Sequence, residues 1–100
     1  MPQIYEYFGF IFYFYSNEHE PIHVHVINGD RESIFDLIIS NGELINVNVR
    51  KKKGVEMLSE KDKNIAETFI HQYNKEIIKK WVTFFVLKQT IKCTVITKKI

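Results

Sequence analysis

Three observations predict an α+β fold: an antiparallel four-stranded meander followed by one or two helices packed on one face, with a short C-terminal strand. The first half of the chain alternates its side-chain types with a period of two, as strands do. Two Asn-Gly pairs, Asn28-Gly29 and Asn41-Gly42, lie between apolar runs there, and this is the strongest short-range hairpin signal. From Ser59 onward the apolar spacing becomes helical.

The first strand is read over residues 4–15. Phe8, Phe10, Phe12 and Phe14 fall on one face, and Tyr5, Tyr7, Ile11, Tyr13 and Tyr15 on the other. Phenyl rings have no polar tip, so the Phe face is expected in the core and the Tyr face near water or a partner. Gly9 within this run suggests a bulge or a close backbone approach. A second strand follows Pro21 and carries His23 and His25 on one face. A two-residue turn at Asn28-Gly29 would pair His25 with Glu32 and leave Val24 and Val26 for the core. At the second Asn-Gly pair, a two-residue turn would set Leu37 opposite Asn46, mixing buried and solvated positions. A three-residue loop, Ser40-Asn41-Gly42, instead pairs Leu37 with Ile45 and Phe35 with Val47. The core face then reads Val24, Val26, Phe35, Leu37, Ile45, Val47 and Val49.

Residues 51–54 form a charged loop. Ser59 is the expected helix N-cap, with Asp62 three residues on. The apolar series Ile65, Ala66, Phe69, Ile70, Tyr73, Ile77, Ile78, Trp81, Phe84 and Phe85 keeps helical spacing. Asn74 leaves open whether residues 59–89 hold one bent helix or two. Residues 90–97 return to β-branched side chains and are read as the last strand.

One hundred residues make a single domain, 1–100, with no room for a second independent core. Aromatic residues reach 14% of the chain, which favours a packed, β-containing core over disorder. The lone Cys93 excludes an intramolecular disulfide framework and fits a reducing cytoplasm, the expected location. Cys93 itself is expected as a buried thiol. Residues 4–15 contain Glu6 and are too short for a membrane span. A net charge of +2 gives only weak support to a nucleic-acid partner.

The densest chemistry lies in Glu18-His19-Glu20-Pro21-Ile22-His23-Val24-His25-Val26. His19, His23 and His25 with Glu32 are candidate ligands of a divalent transition metal, because imidazole nitrogen and carboxylate oxygen suit zinc, nickel or iron. Without a metal, His23 or His25 is the candidate proton-transfer group for hydrolysis. A structural or interface role for the same residues is the simpler reading. Tyr5, Tyr7, Ile11, Tyr13, Ile34 and Ile38 would leave the second sheet face unusually aromatic, which predicts a homodimer or a contact with a small partner protein. Residues 51–53 read as a solvated lysine turn, Trp81 as core and His71 as surface. There is no phosphate-cradling glycine loop and no nucleophile elbow.

Several segments resemble the prokaryotic domain-of-unknown-function family DUF4160: Met1-Pro2, Tyr7-Phe8-Gly9-Phe10-Ile11-Phe12, the histidine segment, Asn28-Gly29-Asp30, Gly42-Glu43-Leu44 and Glu76-Ile77-Ile78-Lys79-Lys80-Trp81. The likeness spans most of residues 1–85. Glu18 and Ile22 stand where the family pattern more usually has Asp and a second Pro, and residues 88–100 lack the commoner Pro-containing ending. Members look like small cytoplasmic proteins, often encoded beside or fused to another small domain in an arrangement similar to toxin–antitoxin pairs. The resemblance implies an interaction module within such a two-protein system. The alternative is a metal-dependent or histidine-based hydrolase, with RNA as a candidate substrate.

Overall fold

Residues 4–15 fold back on themselves instead of running on as one strand. The computed structural model describes residues 2–15 and 22–100; Met1 and residues 16–21, His19 among them, lie outside the described residues. Strands β1 (Gln3–Tyr7) and β2 (Phe10–Tyr13) form an antiparallel hairpin around Phe8-Gly9. Both turn residues have positive φ, 42° at Phe8 and 87° at Gly9, as a type I′ turn requires. A two-residue turn pairs odd positions with even ones, so Tyr5 opposes Phe12 and Tyr7 opposes Phe10. Opposed residues share a face. Tyr5 and Tyr7 therefore enter the core with Phe10 and Phe12, which corrects the expected division of Phe inside and Tyr outside. Phe8 is half exposed at the turn tip.

Strands β3 (His23–Asn28), β4 (Arg31–Ser40) and β5 (Glu43–Lys51) continue the antiparallel meander. The β3–β4 loop is Gly29-Asp30, so Asn28 pairs with Arg31 and His25 with Ile34. Every pair lies two residues from the expected register. An even slip leaves each side chain on its expected face. At the next turn Asn41 and Gly42, with φ of 52° and 78°, form a two-residue loop between Ser40 and Glu43. The register then shifts between Ile38 and Ile39, so that Leu37 meets Val47 and Phe35 meets Val49. A bulge does what the longer loop was expected to do: it aligns the apolar faces. It also puts Ile45 outside the core, 62% exposed, with Leu44 packed inward in its place.

Helix α1 (Glu60–Trp81) starts where its cap predicts, with Ser59 Oγ accepting from the Asp62 N–H at 3.2 Å. It is one helix with a kink at Tyr73 (φ −105°, ψ 15°), beside Asn74, whose side-chain amide donates to the His71 carbonyl at 2.6 Å. A π-helical turn, Val82–Val86, follows Trp81. The chain then returns as β6 (Thr94–Ile96), which pairs in parallel with β1. The meander thus gains a strand from the early hairpin, and the sheet is six-stranded and mixed, in the order β5-β4-β3-β2-β1-β6. Lys80 ties the helix to its far edge, donating to Ile4 O at 2.8 Å, Lys92 O at 2.7 Å and Thr94 Oγ1 at 3.0 Å. Cys93, just before β6, is exposed rather than buried.

Helix α1 covers one face of the sheet. Ala66, Phe69, Ile70, Ile77 and Trp81 pack on Tyr5, Phe12, Val24, Val26, Phe35 and Leu37. Phe12 and Phe69 stack at 4.5 Å between ring centroids, and both are fully buried. Truncating such a ring leaves a cavity, so Phe69→Ala is expected to cost about 3–5 kcal/mol. Ile45→Ala should change stability by less than about 0.5 kcal/mol. Urea unfolding of the two variants checks the register, since a three-residue loop would make both substitutions costly.

Candidate functional site

The face of the sheet opposite α1 is built in rows of side chains from neighbouring strands. Tyr13, His25, Ile34 and Arg50 are paired successively across β2 to β5 and form one row. Ile11, Ile27 and Glu32 form the next, which Lys52 extends one residue beyond β5. His23, Asp36 and Asn48 form the row on the other side. This alternation places the ionisable groups together although they are distant in sequence.

Glu32 is their centre. Its Oε2 accepts a hydrogen bond from the Tyr13 hydroxyl and lies 3.1 Å from His25 Nδ1 and 3.3 Å from Lys52 Nζ. An ionised carboxylate only accepts, so His25 presents an Nδ1–H to it. Lys52 also donates to the Tyr13 hydroxyl at 3.3 Å. Tyr13 and His25 stack at 4.9 Å, Tyr15 lies 4.7 Å from His25, and the Lys52 ammonium stands 4.8 Å from the Tyr15 ring. Tyr13, His25 and Glu32 are all buried.

Burial opposes the charge on Glu32, but hydrogen bonds from Tyr13, His25 and Lys52 outweigh it and hold the carboxyl below its ordinary pKa. Burial pushes the Tyr13 hydroxyl up to about 12, with its bond to Glu32 acting in the same direction. Burial alone would lower the Lys52 pKa; the contacts with Tyr15, Tyr13 and Glu32 raise it instead. At neutral pH the network therefore holds a carboxylate, a neutral phenol and an ammonium.

Next to it, His23 Nδ1 stands 4.0 Å from Asp36 Oδ1, and Asp36 Oδ2 accepts from Arg50 Nε at 2.8 Å. Tyr15, His23, His25, Ile34, Arg50 and Lys52 enclose a depression of about 200 Å³. The cations that border it are matched by Asp36 and Glu32.

The structure brings His23, His25 and Glu32 onto one face, with Glu32 reaching His25 diagonally instead of from the opposed position. His19, the remaining expected ligand, lies outside the described residues. Among the described residues no group of three His, Cys, Asp or Glu side chains is placed to hold a metal ion. Of the expected interface residues, Ile11, Tyr13, Ile34 and Ile38 share the second face, whereas Tyr5 and Tyr7 are under the helix. Sequence reasoning missed Lys52, Arg50 and Asp36. The signal for the two cations was their spacing of two, which continues the alternation of β5 into the presumed lysine turn.

The match to a family model runs over residues 9–82, under the description "Domain of unknown function (DUF4160)". The chain belongs to the DUF4160 family. The matched part contains β2 to β5 and α1, and with them the whole Glu32 network; β1 and β6 lie outside it. No curated protein and no solved structure matches the chain. No helix among the described residues is long and apolar enough to cross a membrane.

Glu32 has a lower pKa folded than unfolded, so its stabilisation is present above the unfolded value, about 4.3. It disappears as pH falls through the folded value. Glu32→Gln should be less stable than the natural protein at pH 7 by about 1–3 kcal/mol. That gap should close as the pH drops below about 4. Urea unfolding in a pH 3–7 series measures it, and a gap independent of pH would show that the carboxylate charge contributes nothing.

Proposed function

We propose that this DUF4160 chain is a small interaction module, one component of a toxin–antitoxin-like two-protein system, and that its partner docks on the second sheet face. The depression beside the Glu32 network carries this reading. Its roughly 200 Å³ is below the about 300–1,000 Å³ of small-molecule sites, and suits one anchoring side chain of a protein. Tyr15 and Arg50 at its border are residue types that dominate interface energetics. Buried hydrogen bonds hold its inner wall before any partner arrives, so little ordering cost remains to be met on binding. The resemblance to proteins encoded beside a second small domain supports a hetero-partner; a second copy of this chain is the other occupant of the same face.

One observation favours a second reading, a histidine-based hydrolase acting on RNA. Glu32 orients His25 beside a lysine and a tyrosine, as a carboxylate orients an acid–base imidazole. The metal-dependent version would need His19 as well.

A pull-down with the chain from its native host, followed by gel filtration with the protein recovered, tests the docking face. A stable complex is expected, weakened at least about tenfold by Tyr15→Ala with Arg50→Ala and unchanged by His71→Ala on the exposed side of α1. A complex indifferent to the double substitution would move the interface elsewhere. A sedimentation mass above 11.9 kDa for the chain alone would make the partner a second copy. Loss of RNA cleavage in His25→Gln, with the complex intact, would favour the hydrolase.

A further inference from the structure

A second site is built at the other side of the sheet, where the β1–β2 turn, the first turns of α1 and the end of the chain meet. They surround a cavity of about 600 Å³, within the range of small-molecule sites. Tyr7, Phe8 and Ile65 supply apolar walls, and Lys61, Asp62 and Lys99 supply charge.

Phe8 is the residue that the fold itself does not explain. At φ 42° it occupies a left-handed turn position that Asn or Gly fills at lower cost. Its ring is 51% exposed, so burial does not repay that strain. Strain and an exposed aromatic lining a cavity of this size point to a ring that receives something. The Lys99 ammonium already stands 4.9 Å from the Phe8 ring centroid. Neither Lys61 nor Lys99 has a carboxylate within ion-pair distance among the described residues, unlike Lys63, which pairs with Glu60 at 2.7 Å. Asp62 is engaged by the Asn28 side-chain amide at 3.3 Å. An aromatic platform flanked by two ammonium groups that form no ion pair among the described residues, with the Asp62 carboxylate turned to Asn28, is the chemistry of a base and its phosphate.

We infer that this cavity binds a nucleotide, with its base stacked on Phe8 and its phosphate held by Lys61 and Lys99. Its source is either a free mononucleotide or a nucleotide within single-stranded RNA. This site shares no residue with the Glu32 network and stands or falls independently of the docking face.

Calorimetry with AMP, and fluorescence anisotropy with a labelled oligoadenylate, distinguish the two sources. Binding of either probe is expected, with AMP displacing the oligonucleotide if both bind. Phe8→Asn suits the left-handed turn, so it should fold with an unfolding midpoint at or above that of the natural protein while binding about tenfold or more weakly. Lys61→Gln with Lys99→Gln should weaken binding and flatten its salt dependence, while Lys75→Gln, an exposed lysine paired with Glu43 away from both sites, should leave it unchanged. The inference is overturned if neither probe binds at millimolar concentration, or if the Phe8 and lysine variants bind as the natural protein does.

Discussion

The second face of the sheet is organised around one carboxylate. Glu32 is buried on β4, where desolvation alone would raise its pKa and disfavour the charge. It stays ionised because Tyr13 from β2, His25 from β3 and Lys52 beyond β5 all turn toward it. One side chain thereby links four consecutive stretches of the meander, and fixes the His25 imidazole and Lys52 ammonium that border the depression together with the Tyr13 phenol stacked on His25. Removing the charge would leave the buried Tyr13 and His25, and the half-buried Lys52, without the carboxylate they share. That makes Glu32 a positioning residue for the whole face.

The opposite face obeys a different constraint, the parity of strand pairing. A single-residue slip carries every side chain to the wrong side of a sheet. The chain corrects parity locally, with the two-residue turn at Phe8-Gly9 and the register shift between Ile38 and Ile39. These devices let one stretch of alternating Phe and Tyr supply a single aromatic core, and let Leu37 and Phe35 meet Val47 and Val49 beneath α1. The helix covers what they align. Lys80 and the parallel strand β6 then close the β1 edge.

This explains which features could be read from the sequence. The contact between His25 and Glu32 was legible because the β3–β4 register differed from expectation by two residues, an even slip that preserves the face. The Ser59 cap was legible because capping is local. The Phe8-Gly9 turn was hidden by its aromatic residue, which is a poor left-handed former and gave no turn signal. Tyr5 and Tyr7 were assigned to the wrong face as a direct result. Lys52 was hidden in a run of three lysines, because its part depends on how far β5 runs and not on its neighbours in sequence. Ile45 was misplaced because hydrophobic pattern cannot tell a longer loop from a bulge.

The central claim, that Glu32 is held as a buried anion by three donors, is most directly tested by carbon-detected NMR titration of its side-chain carboxyl. The account predicts a midpoint below the ordinary glutamate value of about 4.3, moving upward when Tyr13→Phe removes one donor. A midpoint at or above the ordinary value in the natural protein would mean that burial prevails over the hydrogen bonds, and would contradict the account.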